Sequence, residues 1–210
     1  MPMSDKDTQQ DRTQSQTGDF VRAFIAVSLP GEVTAALADL QARLRKSGLK
    51  MKYTAPENIH LTLKFLGPVP ASAVKAVSAA IADAVSGFSK MCIDARGLGV
   101  FPGIRRPRVM WTGIGGQTQY LASLQQAVEE KMAELEFERE NREFTGHLTL
   151  GRFKAKPDPA GVADAIEQFG DFCTGPFEIQ SVQLFESTLT PKGPVYRVIS
   201  GHGLDANPMV

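Results

Sequence analysis

The chain has 210 residues, which is enough for one domain or for two small halves. Its 42% hydrophobic and 22% charged residues are typical of a globular protein with a sizeable core. The 23 basic and 23 acidic side chains balance, which argues against a protein that grips long nucleic acid by bulk charge but allows a local basic pocket. The sequence contains no apolar run of 18 residues, so we expect no membrane-spanning helix.

Residues 1–19 are polar and almost without apolar side chains, so we expect a disordered tail before a single domain at residues 20–205. The tail lacks the basic start and the apolar stretch of a secretion signal. The two cysteines, Cys92 and Cys173, are far apart and show no metal-ligand spacing. We therefore expect two free thiols in a reducing cytoplasm and no metal site.

Hydrophobic periodicity and turn residues predict two similar series of elements. In the first half they predict a strand at 21–28, a helix at 31–46, a strand at 59–66 that ends at Gly67 and Pro68, a helix at 71–86, and strands at 90–100 and 108–114. In the second half they predict a helix at 118–136, a strand at 144–153, a helix at 160–169, and strands at 176–186 and 195–201. Both halves follow the order helix, strand, helix, strand, strand.

The tetrapeptide HLTL occurs twice, at residues 60–63 and 147–150, in the strand that follows the first helix of each half. The chain has only three histidines, and two of them begin these copies. Two copies of so long a repeat do not make a solenoid, which stacks many shorter units. We interpret the chain as one duplicated α+β unit that folds back on itself.

The spacing of the motif places its polar side chains on one face. In a strand, residues i and i+2 point the same way, so His60 projects with Thr62, and His147 projects with Thr149. Pseudo-twofold packing of the two units would bring both imidazoles and both hydroxyls into one cleft. A lone His-x-Thr segment is more often an ordinary strand, and it is the matched pair that indicates a site.

A cleft with two imidazoles and two hydroxyls suits chemistry at phosphorus. An imidazole titrates near neutral pH, so one ring can accept a proton while the other donates one. Threonine hydroxyls can donate hydrogen bonds to the phosphoryl oxygens of a phosphodiester. Such a pair supports in-line displacement without a metal ion.

These features resemble the two-histidine phosphoesterase superfamily, and most of all its RNA 2′,3′-cyclic phosphodiesterases, also called 2′-5′ RNA ligases. The resemblance covers about residues 20–201. It rests on the segments RAFIAVSLP (22–30), PENIHLTLKFLG (56–67), RPRVMWTGI (106–114), FTGHLTLGRF (144–153) and LFES (184–187).

The resemblance implies an α+β fold with two lobes of antiparallel sheet, outer helices and a central V-shaped cleft. It implies hydrolysis of a 2′,3′-cyclic phosphate at an RNA end to a 2′-phosphomonoester. His60 matches the histidine taken as the proton donor to the departing 3′ oxygen, and His147 matches the histidine that accepts a proton from water. Thr62, Thr149 and Arg152 complete the expected site as phosphate-binding residues.

Two groups of basic residues leave alternatives open. An odd spacing from His147 turns Arg152 away from the cleft unless Gly151 forms a bulge, so Arg152 either contacts phosphate or forms a structural ion pair. The arginines in the segment FPGIRRPR (101–108) either contact an RNA backbone or cover a solvated hairpin tip.

Four other positions carry expectations. Trp111 is expected in the core, and His202 is expected in a solvated tail. Tyr53 and Gly146 stand where the family often has Trp and Pro, which leaves substrate preference less certain than reaction type.

Three rival functions remain open at this point. The enzyme can act on another cyclic phosphate, such as ADP-ribose 1″,2″-cyclic phosphate or a small cyclic nucleotide. A non-catalytic module can bind RNA ends in the same cleft, although a binder has no need of an acid–base pair. Ligation as the main role requires a second RNA held at a high effective molarity, because water competes.

No nucleotide cofactor is expected, because the sequence contains neither a GxxxxGK[ST] motif nor a dinucleotide fingerprint. A duplicated unit forms its own pseudo-dimer, so we expect a monomer.

Overall fold

The computed structural model describes residues 20–191 and 193–205, and the tail predicted at 1–19 lies outside the described residues. The strands are β1 (Phe20–Ser28), β2 (Lys52–Tyr53), β3 (His60–Pro70), β4 (Met91–Phe101), β5 (Val109–Gly116), β6 (His147–Arg152), β7 (Cys173–Ile179), β8 (Ser181–Thr190) and β9 (Gly193–Gly203). The helices are α1 (Gly31–Lys46), α2 (Val74–Val85), α3 (Thr118–Glu134) and α4 (Pro159–Gln168). In this part of the chain, none of the helices has both the length and the apolar composition to cross a membrane.

The strands form one antiparallel sheet in the order β7-β4-β5-β6-β3-β1-β8-β9, and the short β2 also pairs with β6. The strands β3 and β6 carry the two HLTL motifs and are neighbours at the centre of the sheet, where Leu61 lies opposite Leu148. The first lobe is β3-β1-β8-β9 and the second lobe is β6-β5-β4-β7. The predicted α+β fold with two antiparallel lobes is confirmed.

The two lobes are not the two halves of the sequence. In the chain, β4 follows the first motif, but it pairs with β5 in the second lobe. In the same way, β8 and β9 follow the second motif but extend the first lobe from β1. Each half therefore contributes strands to both lobes, and this exchange holds the motif strands side by side.

The helices cover the face of the sheet that the motif leucines occupy. Helix α1 packs against β7, α4 packs against β4, and α2 packs against β8, β9 and α3. The predicted apolar stripe of α1 (Val33, Leu37, Leu40 and Leu44) is buried in the same core as Leu61 and Leu148. Burial of one such side chain stabilises the fold by about 1.5–3 kcal/mol. The opposite face of the sheet is left for the polar motif residues.

Two of the predicted strands differ most from the structure. Strand β3 does not end at Gly67 and Pro68, because Gly67 adopts a positive φ of 73° within an irregularity of the pairing with β1, and the strand runs on to Pro70. The strand predicted at 176–186 is in fact β7 and β8, which are separated at Gln180. Neither Gly nor Pro marks that turn, so the pattern of apolar residues predicted one continuous strand.

The expectation for His202 is wrong. This residue lies in β9, and its Nε2 atom is 3.2 Å from the hydroxyl oxygens of both Ser78 and Ser200. Burial lowers its pKa below the ordinary value. His202 therefore links strand β9 to helix α2 through hydrogen bonds, on the helix-covered side of the first lobe.

Candidate active site

The first motif strand contains a bulge directly after the motif threonine. Between Thr62 and Lys64 the pairing advances two residues on β3 and one on β1, so Leu63 is an extra residue. The bulge shifts the alternation of side chains along the strand. Leu63 and Lys64 are both buried, and Phe65 returns to the cleft face, where it is 72% exposed.

The second motif strand has the same bulge at the equivalent position. Between Thr149 and Gly151 the pairing advances two residues on β6 and one on β5, so Leu150 is the extra residue. Leu150 and Gly151 are buried, and Arg152 lies on the cleft face. Within residues 20–191 and 193–205, no carboxylate forms an ion pair with Arg152. Its guanidinium group is directed to the cleft rather than to a structural ion pair.

Both motif histidines are oriented by the same backbone contact. Nδ1 of His60 is 2.8 Å from the carbonyl oxygen of Asn58, and Nδ1 of His147 is 2.8 Å from the carbonyl oxygen of Thr145. A carbonyl oxygen can only accept a hydrogen bond, so Nδ1 carries a proton in both rings. Nε2 is therefore the ring nitrogen that is available to accept or donate a proton in the cavity.

His60 lies on an aromatic floor formed by Phe24, Phe185 and Tyr196. Its ring stacks on Phe24 with the centroids 4.7 Å apart and meets the edge of Tyr196 at 5.2 Å. Phe24 in turn stacks on Phe185 at 5.1 Å. Burial disfavours the charged ring, and His147 adds repulsion between like charges, so the pKa of His60 is lowered from 6.5 to about 4. The free site therefore holds His60 neutral at pH 7.

His147 meets two other rings in a different way. Phe101 contacts it edge-on with the centroids 5.0 Å apart, and Trp111 lies 6.3 Å away. The expectation of Trp111 in the core is wrong, because this residue pairs with Thr149 across β5 and β6 and so shares its cleft face. Its ring lies over Gly99, where an added Cβ atom would clash with the indole.

All of the residues predicted for the site line one cavity of about 670 Å³: His60, Thr62, His147, Thr149 and Arg152. Four further lining residues were not predicted from the sequence. Arg22 and Phe24 belong to the segment RAFIAVSLP (22–30) that carries the family resemblance, whereas Lys52 and Tyr196 lie outside the segments quoted for it. Burial raises the pKa of Tyr196, and the charges of Arg152 and Arg22 oppose that rise.

A buried ion pair joins the first motif strand to the segment before the second motif. Nζ of Lys64 donates to Oε2 of Glu129 at 2.6 Å and to the carbonyl oxygen of Glu138 at 2.8 Å. The same carboxylate oxygen of Glu129 accepts from the backbone N–H of Glu140 at 3.4 Å. Only a few residues separate Glu140 from His147, where β6 begins. The ion pair therefore fixes the position of the start of β6 relative to β3. In the sequence, both partners resemble ordinary surface residues.

The arrangement supplies two proton-exchanging nitrogens, two hydroxyl donors and several positive charges in one cavity. An anionic group placed between the imidazoles would meet a donor or a cation on each side. In the described part of the chain, no three His, Cys, Asp or Glu side chains are grouped as ligands for a metal ion. The chemistry that these residues support directly is general acid–base catalysis at an anion.

Comparison with known proteins gives a consistent result. The family model for LigT-like phosphoesterases matches residues 27–111 and 114–196, which are two successive segments with one HLTL motif each. The RNA 2′,3′-cyclic phosphodiesterase of Methanocaldococcus jannaschii is 34% identical over 179 residues, which cover 85% of this chain and 98% of that protein. The protein of the same name from Aeropyrum pernix is 34% identical over 165 residues, which cover 78% and 92% of the two chains.

Solved structures share the fold. A crystal structure from Thermus thermophilus superposes with a TM-score of 0.75 at 29% identity and covers 88% of this chain and 98% of its own. The crystal structure of Escherichia coli LigT complexed with 3′-AMP has a TM-score of 0.70 at 22% identity and covers 89% and 99% of the two chains. At that identity the second likeness shows the fold alone.

Proposed function

The chain belongs to the LigT-like phosphoesterase family, and from this premise we propose that it hydrolyses 2′,3′-cyclic phosphates at RNA ends to 2′-phosphomonoesters. The observation that carries the proposal is the pair of equivalent imidazoles, each fixed through Nδ1 and each presenting Nε2 to one cavity. The relatives named RNA 2′,3′-cyclic phosphodiesterase support the choice of substrate.

In the proposed reaction, Nε2 of His147 accepts a proton from water, and the oxygen of that water attacks phosphorus. The bond from phosphorus to the 3′ oxygen breaks, and Nε2 of His60 gives its proton to that departing oxygen. Thr62, Thr149 and Arg152 donate hydrogen bonds to the non-bridging oxygens, on which negative charge accumulates in the transition state. The 2′ oxygen keeps its bond to phosphorus, which gives the 2′-phosphomonoester.

The donor role of His60 requires a proton that the free site does not hold at pH 7, because the pKa of His60 is lowered to about 4 there. The phosphodiester brings a negative charge next to this ring, and a neighbouring negative charge raises the pKa of an imidazole. We propose that His60 becomes protonated together with substrate binding. The acid is then present only when its substrate occupies the cleft.

The assembly and the cellular location are also part of the proposal. Both motifs of the cavity come from one chain, so we propose that the protein acts as a monomer. We propose a cytoplasmic location, because Cys92 and Cys173 are free thiols, which suit a reducing compartment.

The test is to incubate the purified chain with EDTA and a short RNA that ends in a 2′,3′-cyclic phosphate, and to identify the product. We expect a 2′-phosphate end that does not form with the variant His147→Ala. A product with a 3′-phosphate, or loss of activity in EDTA, would contradict the proposed chemistry.

The rival substrates are separated in the same assay. ADP-ribose 1″,2″-cyclic phosphate and a 2′,3′-cyclic mononucleotide replace the RNA, and we expect kcat/KM to be highest for the RNA end. Binding of the RNA without turnover would favour the non-catalytic module. Joined RNA in the presence of a 5′-hydroxyl strand would measure the share of ligation.

A further inference from the structure

The hairpin between β4 and β5 carries a concentration of positive charge. Arg105, Arg106 and Arg108 are exposed on it, and the segment 101–116 contains no Asp or Glu. The backbone N–H of Arg106 donates to the carbonyl oxygen of Gly103 at 3.1 Å, which closes the turn. The three guanidinium groups are therefore displayed on an ordered hairpin.

This hairpin is built directly onto the wall of the cavity that holds the second motif. Phe101 and Val109 pair at its base, and Phe101 contacts the ring of His147. Val109 pairs on its other side with Arg152. The arginines therefore lie within a few residues of Phe101, which contacts His147, and of Val109, which pairs with Arg152. This places them at the rim of the second lobe.

A fourth cation lies on the neighbouring chain segment. The backbone N–H of Phe153 donates to the carbonyl oxygen of Arg108 at 2.9 Å, and Lys154 follows immediately as an exposed residue. The segment 144–157 again contains no Asp or Glu. We call the four residues Arg105, Arg106, Arg108 and Lys154 the basic ridge.

The basic ridge differs from the other charged surfaces of the protein. Some exposed cations elsewhere are paired, as Lys131 is with Glu134, and others such as Lys46 and Lys75 form no ion pair with the described residues but lie on helices that also carry acidic residues. Across the described ranges, none of the four ridge residues forms an ion pair. In a chain whose formal net charge is zero, a cluster of four cations on segments without acidic residues creates a local positive potential beside the cavity, which attracts an anion from outside.

We propose that the basic ridge binds the phosphate backbone of the RNA on the 5′ side of the cyclic end. The inference rests on the proposed function. A cavity of about 670 Å³ has the size of a site for a drug-sized ligand, so it encloses the end of an RNA and not its body. The rest of the strand must leave over one rim of the cleft.

The two rims offer different surfaces to that strand. The first lobe presents mainly apolar side chains there, since Phe65, Leu189 and Val195 line the cavity and are 72%, 69% and 55% exposed, and Arg22 is the cation that this lobe adds to the described lining. The second lobe presents the basic ridge. Phosphate groups bind to Lys and Arg, and so the charged backbone leaves over the second lobe.

The experiment measures binding of two product-like probes by fluorescence anisotropy at 50 and 200 mM salt. One probe is a ten-nucleotide single-stranded RNA that ends in a 2′-phosphate, and the other is the corresponding mononucleotide. The test variant is Arg105→Ala/Arg106→Ala. The matched control is Lys46→Ala/Lys75→Ala, which removes two exposed cations from helices α1 and α2, away from the cavity.

We expect the test variant to bind the ten-nucleotide RNA more weakly than the wild type at 50 mM salt, with a lower ratio of RNA affinity to mononucleotide affinity. Each lost phosphate contact lowers the steepness of the plot of log K against log[salt] for a single strand by about 0.7. Loss of two contacts therefore changes the ratio of wild-type affinity to variant affinity by about sevenfold between 50 and 200 mM salt. The control should keep the salt slope of the wild type.

Equal affinity of the wild type and Arg105→Ala/Arg106→Ala for the RNA at both salt concentrations would overturn the proposal that the basic ridge binds RNA. An equal loss in Lys46→Ala/Lys75→Ala would also overturn it, because the effect would then be bulk charge. Turnover of a cyclic RNA end by the wild type is measured in parallel. A wild type that binds through the ridge but does not hydrolyse the end would refute the proposed function and leave the ridge standing.

Discussion

The two motif strands have the same local design and different surroundings. In both, the histidine bonds to the carbonyl oxygen two residues earlier, and a bulge follows the threonine. The first histidine lies face-on against Phe24, whereas the second is touched edge-on by Phe101. The motif therefore fixes where each proton-exchanging nitrogen lies, and the neighbouring strands decide how each ring is solvated.

The difference continues at the residues after each bulge. In the first lobe these are Lys64, which is buried in an ion pair, and the exposed Phe65. In the second lobe they are Gly151, which allows β2 to approach closely, and the exposed Arg152. The duplication thus supplies two motif strands with equivalent backbones. After its bulge, the first strand presents an aromatic side chain and the second presents a charged one. An asymmetric substrate with a base and a phosphate fits such a cleft.

The largest effect is expected from the two histidines themselves. His60→Ala and His147→Ala should each lower kcat/KM for a cyclic RNA end by about 10²–10⁴-fold, because each removes a general acid or base. The double variant should lose little more than the worse single variant, since residues that act as a unit are not additive. Steady-state kinetics on the same RNA give all three values.

His202→Gln is the matched control for these variants, because it changes the third histidine, which does not line the cavity. It should retain the activity of the wild type. Full activity in either His60→Ala or His147→Ala would mean that the two strands are not a catalytic pair.

The next effect concerns the buried ion pair of the first lobe. Lys64→Met leaves Glu129 charged and without its partner, and we expect a loss of about 3–5 kcal/mol in the free energy of unfolding. The exposed pair of Lys131 and Glu134 is the control, where Lys131→Met should cost less than about 1 kcal/mol. Urea denaturation of the three proteins measures both differences.

A second variant keeps this prediction testable if Lys64→Met does not fold. Lys64→Met/Glu129→Leu removes both charges, and buried ion pairs replaced by apolar side chains are often neutral for stability. The double variant should therefore be more stable than either single change. A single variant as stable as the wild type would show that the ion pair contributes nothing to the fold.

The positions after the bulges give a smaller effect that sharpens the contrast between the lobes. Arg152→Met should raise KM for cyclic ends by about 10- to 100-fold whatever the terminal base, because a hydrogen bond to a charged group contributes about 1.5–3 kcal/mol. Phe65→Ala should raise KM more for purine ends than for pyrimidine ends, since stacking contributes about 1–3 kcal/mol per base and grows with ring size.

The comparison is made with four RNAs that differ only in the terminal base. Arg152→Lys keeps the charge without the planar fork and should recover part of the lost affinity. If Arg152→Met changed KM for one base only, or if Phe65→Ala affected all four equally, the division into a phosphate wall and a base wall would be wrong.

The sequence was sufficient for the parts of the molecule that local patterns determine. Alternation of apolar and polar residues located both motif strands, and helical spacing gave α1 its observed bounds. Because strand geometry fixes which side chains share a face, His60 with Thr62 and His147 with Thr149 could be placed together before any pairing was known.

Features that depend on distant pairing could not be predicted. The exchange of β4 and β8 between lobes follows from pairing with strands far away in the sequence, β4 with β7 and β8 with β1. The direction of Arg152 depended on whether β6 contained a bulge, and the pattern of residues left both directions open. The floor beneath His60 comes from β1, β8 and β9, so its effect on that ring was visible only once the strands were assembled.

The smallest effect tests whether the aromatic floor makes the two sides of the cleft different. A histidine in the unfolded chain has a pKa of about 6.5, and burial lowers the pKa of His60 to about 4 in the folded protein. Between these values the unfolded chain binds a proton that the folded chain does not, so acid should destabilise the fold as the pH falls from 6.5 to 4 and have no further effect through His60 below 4. The variant His60→Gln should lose that part of the pH dependence, which denaturation at several pH values measures as a difference from the wild type.

A ring of His60 that titrates near 6.5 by NMR in the free protein would mean that the floor does not exclude the charge. If it titrates near 4, the same ring should titrate at higher pH once a 2′-phosphate product occupies the cavity, because the anion favours the protonated form.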